Sequence, residues 1–462
     1  MSFSSSIFLF VFLPALFAIY FFIPARWRET RNNVLLLFSL MFYAWGEPVF
    51  VGVMLLSVAV NYLCGLAAVR RPKLACTLAS VAGLGLLIYY KYTALLLSSA
   101  NSVFGLHLPV PKIVLPIGIS FFTFQGLSYV IDVARGDAPV QKNPLHVALY
   151  VALFPQLIAG PIVRYQTVAQ EISCRRESLD EAAAGARRFM LGLGKKMLIS
   201  NAMGQIADRA FGLGAGELTW DIAWLGALAY TMQIYFDFSG YSDMAIGLGR
   251  ILGFHFLENF NYPYISRSIT EFWRRWHISL STWFRDYVYI PLGGNRCGRP
   301  RWVLNILTVW LLTGIWHGAA WNFLLWGLYF GVLLLLEKLA LGKVLDKLPA
   351  ALRWAYAFAL IVLGWVLFRA DSLGQAVWYL GAMFTPSSGL HRLTRYCLHQ
   401  YGFELAVACL ASLPIGRWLG KREAARGGLL TLGASVWALA VFGLSVVWLI
   451  SSSFNPFIYF RF

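Results

Sequence analysis

Residues 302–336 form a run of 35 residues that is almost wholly apolar. A single helix of that length would rise roughly 50 Å, against a hydrocarbon core of about 30 Å. The run therefore has to break. Trp316-His317-Gly318 near its centre is the expected place, because glycine is the weakest helix former there. Irregular backbone at membrane depth is tolerated only where it is packed in protein or lines a cavity, and an ionisable side chain at that depth points to function. The competing reading of His317 is a core histidine hydrogen-bonded between helices.

The stretch just before this run is of the opposite character. Ser268-Ile-Thr-Glu271 has the form of a capping box, which predicts a helix start. In one continuous helical register Phe272, Trp276, Leu280, Trp283 and Tyr287 share one side, and Arg274, His277, Ser281 and Arg285 share another. Pro291-Leu-Gly-Gly ends the element. The helix is too charged to cross lipid, so it is expected at the interface or on the wall of a wet cavity. His277 is either part of that site or an interfacial histidine among arginines.

The residues EFWRRWHISLSTWFRDYVYIPLGGNR followed by GIWHGAAWNF resemble the membrane-bound O-acyltransferases, in the branch that O-acetylates exported polysaccharide such as alginate. The resemblance extends to LPIGISFFTFQGLSYVIDVARG (115–136), LFPQLIAGPIVRY (153–165), YFDFSGYSDMAIGLGRILGF (235–254), the N-terminal block and the closing PFIYFRF, and so spans most of the chain. It implies that His317 is the catalytic histidine and His277 the second active-site position. It further implies acetyl-CoA or a similar cytoplasmic thioester as donor, and a separate extracytoplasmic partner with a serine nucleophile.

Composition supports a membrane protein on its own. Of 462 residues, 59% are hydrophobic and only 13% charged, as expected for many spans in a lipid bilayer. A formal charge of +17 would suggest nucleic acid in a soluble chain. Here the cations sit between apolar runs, as in cytoplasmic loops, and nucleic-acid binding is excluded. The six cysteines are scattered singly without metal spacing. No metal site, P-loop, dinucleotide fingerprint or G-x-S-x-G elbow is present. MSFSSS lacks a positive n-region, which predicts that residues 7–24 are a retained first span.

Taken in order, the apolar runs are 7–24, 33–45, 48–69, 74–98, 113–133, 145–163, 189–207, 222–252, the central stretch, 354–368, 403–416 and 429–450. Basic residues in 25–32, 70–73 and 338–353 place those loops inside and the N-terminus outside. Pro155 and Gly160-Pro161 suggest a re-entrant hairpin over 145–163, and 385–402 reads as a polar outer linker. The expected fold is all-α: a polytopic integral membrane protein with about ten to twelve transmembrane helices, plus re-entrant and interfacial helices around a central cavity, with 1–462 forming a single domain. Its place is the bacterial inner membrane.

Asp237 and Tyr241 share a helix face at i+4, with Asp243 further round. Carboxylates at this depth are costly unless paired, so they are either a wall of the active-site cavity or an ion pair locking helices. Acyl transfer from a thioester to a hydroxyl needs a base and stabilisation of the oxyanion. A buried neutral His317 suits the first role. His277, Arg274, Arg285, Ser281, Asp237 and Tyr241 are candidates to hold or orient the donor. The other readings are a transporter or flippase of a polar lipid or glycan, and an acyltransferase with another acceptor such as teichoic acid.

Overall fold

The computed structural model describes residues 1–458 apart from 159, 388 and 453, and the main chain but not the side chains of 421 and 424–426. Ala159 of the 153–165 motif and residues 459–462 of the closing segment lie outside the described residues. Every described element is a helix, and the chain is an all-α, multi-pass membrane protein. Among the described residues, five helices are both long and apolar enough to cross a bilayer: Val51–Ala68, Pro72–Phe104, Trp321–Leu345, Ala350–Arg369 and Leu429–Ser451. Others are apolar but shorter. Ile119–Arg135, for example, has 17 residues, or about 26 Å of rise against a core of about 30 Å.

The chain divides into two compact units. One comprises Met1–Phe189 with Tyr241–Leu257, the other Met190–Gly240 with the residues from Glu258 onward. In the first, Phe3, Phe8, Phe12, Phe42 and Phe154 form an aromatic cluster, with Tyr241 stacked on Phe3 at 4.5 Å between ring centroids. A polar network lies in the same unit. Arg28 and Arg31 bind the Glu177 carboxylate at 2.5 and 3.1 Å, and Arg175 donates to Asn32 and Tyr20. Burial alone would raise Glu177, but hydrogen bonds from Arg28 and Tyr20, with the charges of Arg28 and Arg175, hold it down at about 2.

The second unit has a core built on Trp273, Trp276, Trp326, Phe330, Trp365 and Phe368. Its closest helix pairing joins Arg299–His317 to Trp321–Leu336. Glycine makes that approach possible: a Cβ on Gly314 would stand 2.3 Å from the Phe323 carbonyl oxygen, and one on Gly327 2.3 Å from that of Trp310. The long apolar run thus folds back on itself, broken where expected, with His317 as the last residue of one helix and Gly318 extended behind it.

Two expectations are corrected, and one further run is described. Residues 385–402 are not simply a linker, since the helix Arg392–Ala411 includes their second half. The inner loop over 338–353 shrinks to 346–349, because the Trp321 helix continues through a π-helical turn, Glu337–Leu341, to Leu345. The run 145–163 bends at Leu153, between Pro144–Ala152 and Phe154–Leu157.

Candidate active site

The helix start forms as read, with the return bond of the capping box made one residue before the N-cap. Ser268 is the N-cap of Ile269–Arg275, its hydroxyl accepts from the Glu271 N–H at 2.9 Å, and Glu271 reaches back to the Arg267 N–H at 2.9 Å. A second carboxylate completes the cap. Glu337, buried on the π turn, accepts from the Ile269 N–H (2.6 Å), the Thr270 N–H (2.9 Å) and the Thr270 hydroxyl (2.7 Å). The negative charge sits on the positive end of the helix and joins the two halves of the sequence motif.

The continuous helix expected over 268–290 does not exist. It stops at Arg275 and restarts at Ile278, with His277 in the left-handed region at φ 44°, ψ 54°. For a non-glycine residue that conformation costs about 1–3 kcal/mol and persists only where surroundings impose it. Here a neighbouring loop imposes it: the Asn261 N–H donates to the Arg275 carbonyl (2.9 Å), and the Ile278 N–H donates to the Asn259 carbonyl (2.9 Å). The Asn259 side chain then accepts from the Ser279 N–H and hydroxyl, at 3.1 and 2.9 Å. The loop replaces the intrahelical bonds that the break removes.

The break does not scatter the polar stripe. Arg274, His277, Ser281 and Arg285 all line one cavity of about 270 Å³. The facing wall is the stripe Ile306, Trp310, Thr313 and His317, at i, i+4, i+7 and i+11, and Lys338 closes one side. His317 is half-buried, ringed edge-on by Trp316, Trp326 and Phe368 at 4.9, 5.0 and 5.2 Å between centroids. Trp316 also touches His277, at 6.1 Å. Two imidazoles thus share one aromatic partner on the wall of one cavity. Arg274, Arg285 and Lys338 line the cavity, and the Arg285 guanidinium is paired with the Asp286 carboxylate at 2.6 Å.

Two of the expected donor-binding residues are elsewhere. Asp237 is fully buried and bound to Lys196 at 2.7 Å, and it accepts from the Ile458 N–H at 2.9 Å. Tyr241 lies in the first unit against Phe3. Neither lines the cavity, because each is committed to packing or charge neutralisation. Asp243 pairs with Arg188 at 2.8 Å. Lys338, by contrast, is a cavity residue that the sequence reading placed in a loop. Its signal was an apolar helical run continuing past Leu336 into Glu337-Lys338.

His277 lies outside the spanning helices, and burial pushes its imidazole down to about 3. A folded pKa below the unfolded value of about 6.5 means that the unfolded chain binds the extra proton between those limits. The stability this contributes is fully present above about pH 6.5 and is lost as pH falls through the window. His277→Gln is therefore expected to reduce the acid sensitivity of the melting temperature between pH 6.5 and 4.5. An unaltered slope of Tm against pH in detergent would refute a buried neutral imidazole.

Comparison with known proteins agrees with this geometry. Residues 138–346, which include both histidines, match the model of the MBOAT, membrane-bound O-acyltransferase family. A probable alginate O-acetylase of Azotobacter vinelandii is 42% identical over the whole of both chains. A peptidoglycan O-acetyltransferase of Helicobacter pylori is 35% identical over 82% of this chain and 79% of its own. A teichoic acid D-alanyltransferase of Bacillus subtilis is 33% identical over 55% of this chain and 67% of its own. With a full-length relative at this identity and an all-helical membrane fold around paired histidines, the chain belongs to the membrane-bound O-acyltransferase family and is an O-acyltransferase.

Proposed function

We propose that this enzyme, with residues 1–462 working as one transmembrane domain in the bacterial inner membrane, takes an acetyl group from cytoplasmic acetyl-CoA. It passes that group outward for O-acetylation of an exported polysaccharide, through a hydroxyl on an extracytoplasmic partner protein. The observation that carries the reading is the cavity: two histidines on one wall together with Arg274 and Lys338, and with Arg285, which is paired with Asp286. His317 acts as base and takes the proton of the acceptor hydroxyl as its oxygen attacks the thioester carbonyl. The carbonyl oxygen gains negative charge, which the cations and the Ser281 hydroxyl on the same wall would offset. The C–S bond then breaks, the new ester remains on the acceptor, and the imidazolium returns its proton to the thiolate. His277 positions the donor.

The named relatives act on alginate, peptidoglycan and teichoic acid, so the acceptor needs a direct test. Purified protein incubated with labelled acetyl-CoA is expected to transfer label to polysaccharide only when the outer-face proteins encoded beside it are added. Efficient acetylation of polysaccharide by this chain alone would refute the relay. No transfer with the partner present would refute the donor.

A further inference from the structure

Of the three rings around His317, Trp316 and Trp326 belong to the helical hairpin that carries it, while Phe368 comes from a third helix, Ala350–Arg369. Phe368 also meets Phe323 at 5.1 Å and Trp326 at 5.0 Å between centroids. It stands one residue before the end of its helix, where carbonyls lose their helical donors. Two polar side chains fasten that end. Asn322, buried on the other side of the break from His317, donates its amide N–H to the Ala370 carbonyl at 2.8 Å. The Arg369 guanidinium, on a side chain 5% exposed, donates to Asp208 at 2.6 Å. It also lies over the rings of Phe211 and Tyr230, at 5.0 and 5.8 Å. One bond ties the helix end to the hairpin, and the other ties it to the helix Asn201–Phe211. Neither Asn322 nor Arg369 lines the histidine cavity. The break is fitted to the same set of rings, since a Cβ on Gly318 would stand 2.2 Å from the Phe323 ring.

We propose that Asn322 and Arg369 are positioning residues for acyl transfer: they hold Phe368 in place and, through it, the orientation of the His317 imidazole. The proposal rests on the reading of His317 as the base. A base has to meet its proton within hydrogen-bond reach, and a displacement of about 1 Å can cost on the order of a hundredfold in rate. Side chains that set such geometry are themselves locked by packing and hydrogen bonds one layer out. Apolar packing of Ile361, Val362 and Trp365 seats the body of the third helix in the core. The two polar bonds act beyond it, at 369 and 370, beside the ring that reaches His317. Helix ends fray, and without these bonds His317 keeps a fixed contact only with the rings of its own hairpin.

The test uses the full chain in detergent with labelled acetyl-CoA, partner protein and polysaccharide. Asn322→Leu and Arg369→Gln are each expected to lower kcat by about ten- to a hundredfold, with the KM for acetyl-CoA within about twofold of wild type. Asn322→Gln keeps an amide donor and should recover part of the loss. Added to His317→Ala, neither substitution should reduce the residual transfer further, because the ring they orient is gone. Losses that add in full would overturn the proposal. A second readout is independent of turnover. Carbethoxylation of His317 by diethyl pyrocarbonate, read on its own peptide by mass spectrometry, should change severalfold in both variants, while the exposed His399 reacts as in wild type. An unchanged rate at His317 overturns the proposal even where activity falls. Where a variant fails to fold, Phe368→Leu, which removes the ring and leaves both polar bonds, carries the same readouts, and wild-type kcat there would overturn the proposal. If His317→Ala keeps its turnover, the base assignment fails, and the carbethoxylation rates decide whether Asn322 and Arg369 hold the ring.

Discussion

His317→Ala is expected to lower acetyl transfer by about a thousandfold or more, within the range that a positioned general base supplies, while the protein still inserts and unfolds at nearly the wild-type temperature. His317 is the final residue of its helix, and Gly318 behind it is extended, so no helix interior is lost when the ring goes. What disappears is the proposed base, an imidazole held edge-on among Trp316, Trp326 and Phe368. These rings restrict its orientation. Labelled acetyl-CoA with partner protein and polysaccharide reads the activity, and detergent Tm reads the fold. Near-normal turnover by well-folded His317→Ala would end its assignment as the base.

The second large effect concerns stability. Asp237 and Lys196 form an ion pair with side chains 0% and 3% exposed. Removing one partner of such a pair leaves a buried charge uncompensated, which costs about 3–5 kcal/mol. Asp237→Ala also deprives the Ile458 N–H of its acceptor. We expect low yield of folded protein and a Tm many degrees below wild type. Replacing both partners by apolar residues, Lys196→Met with Asp237→Leu, should recover most of the loss, since no lone charge remains. A stable Asp237→Ala single variant would show that the pair does not hold the unit together.

Much of the site was legible in the chain because its signals are local. The break at His317 follows from length against bilayer thickness, and the helix start at Ser268 from four adjacent residues. The break at His277 was not legible. Trp276-His277-Ile278 contains neither glycine nor proline, and the left-handed residue is imposed by Asn259 and Asn261, which belong to a different segment. Asp237 and Tyr241 were grouped by i+4 spacing, but their partners lie far off in sequence: Ile458 is 221 residues from Asp237. The polar stripe 274–285 survived a wrong helix because both of its pieces face the same cavity.

That separation bears on how the protein is made. Asp237 receives two kinds of partner: Lys196, synthesised before it, and the backbone of 456–458, synthesised long after. Lys196 donates to the Pro456 carbonyl and Ile458 donates to Asp237, so the late segment is bonded to both members of the pair. At about 5–20 residues per second, the ribosome needs on the order of ten to forty seconds to cover the interval. In the folded chain Lys196 and Asp237 neutralise each other. The pair leaves no lone charge on either helix, and the late segment adds one hydrogen bond to each member. The order of synthesis thus leaves the Pro456 and Ile458 bonds as the last contacts this pair can acquire.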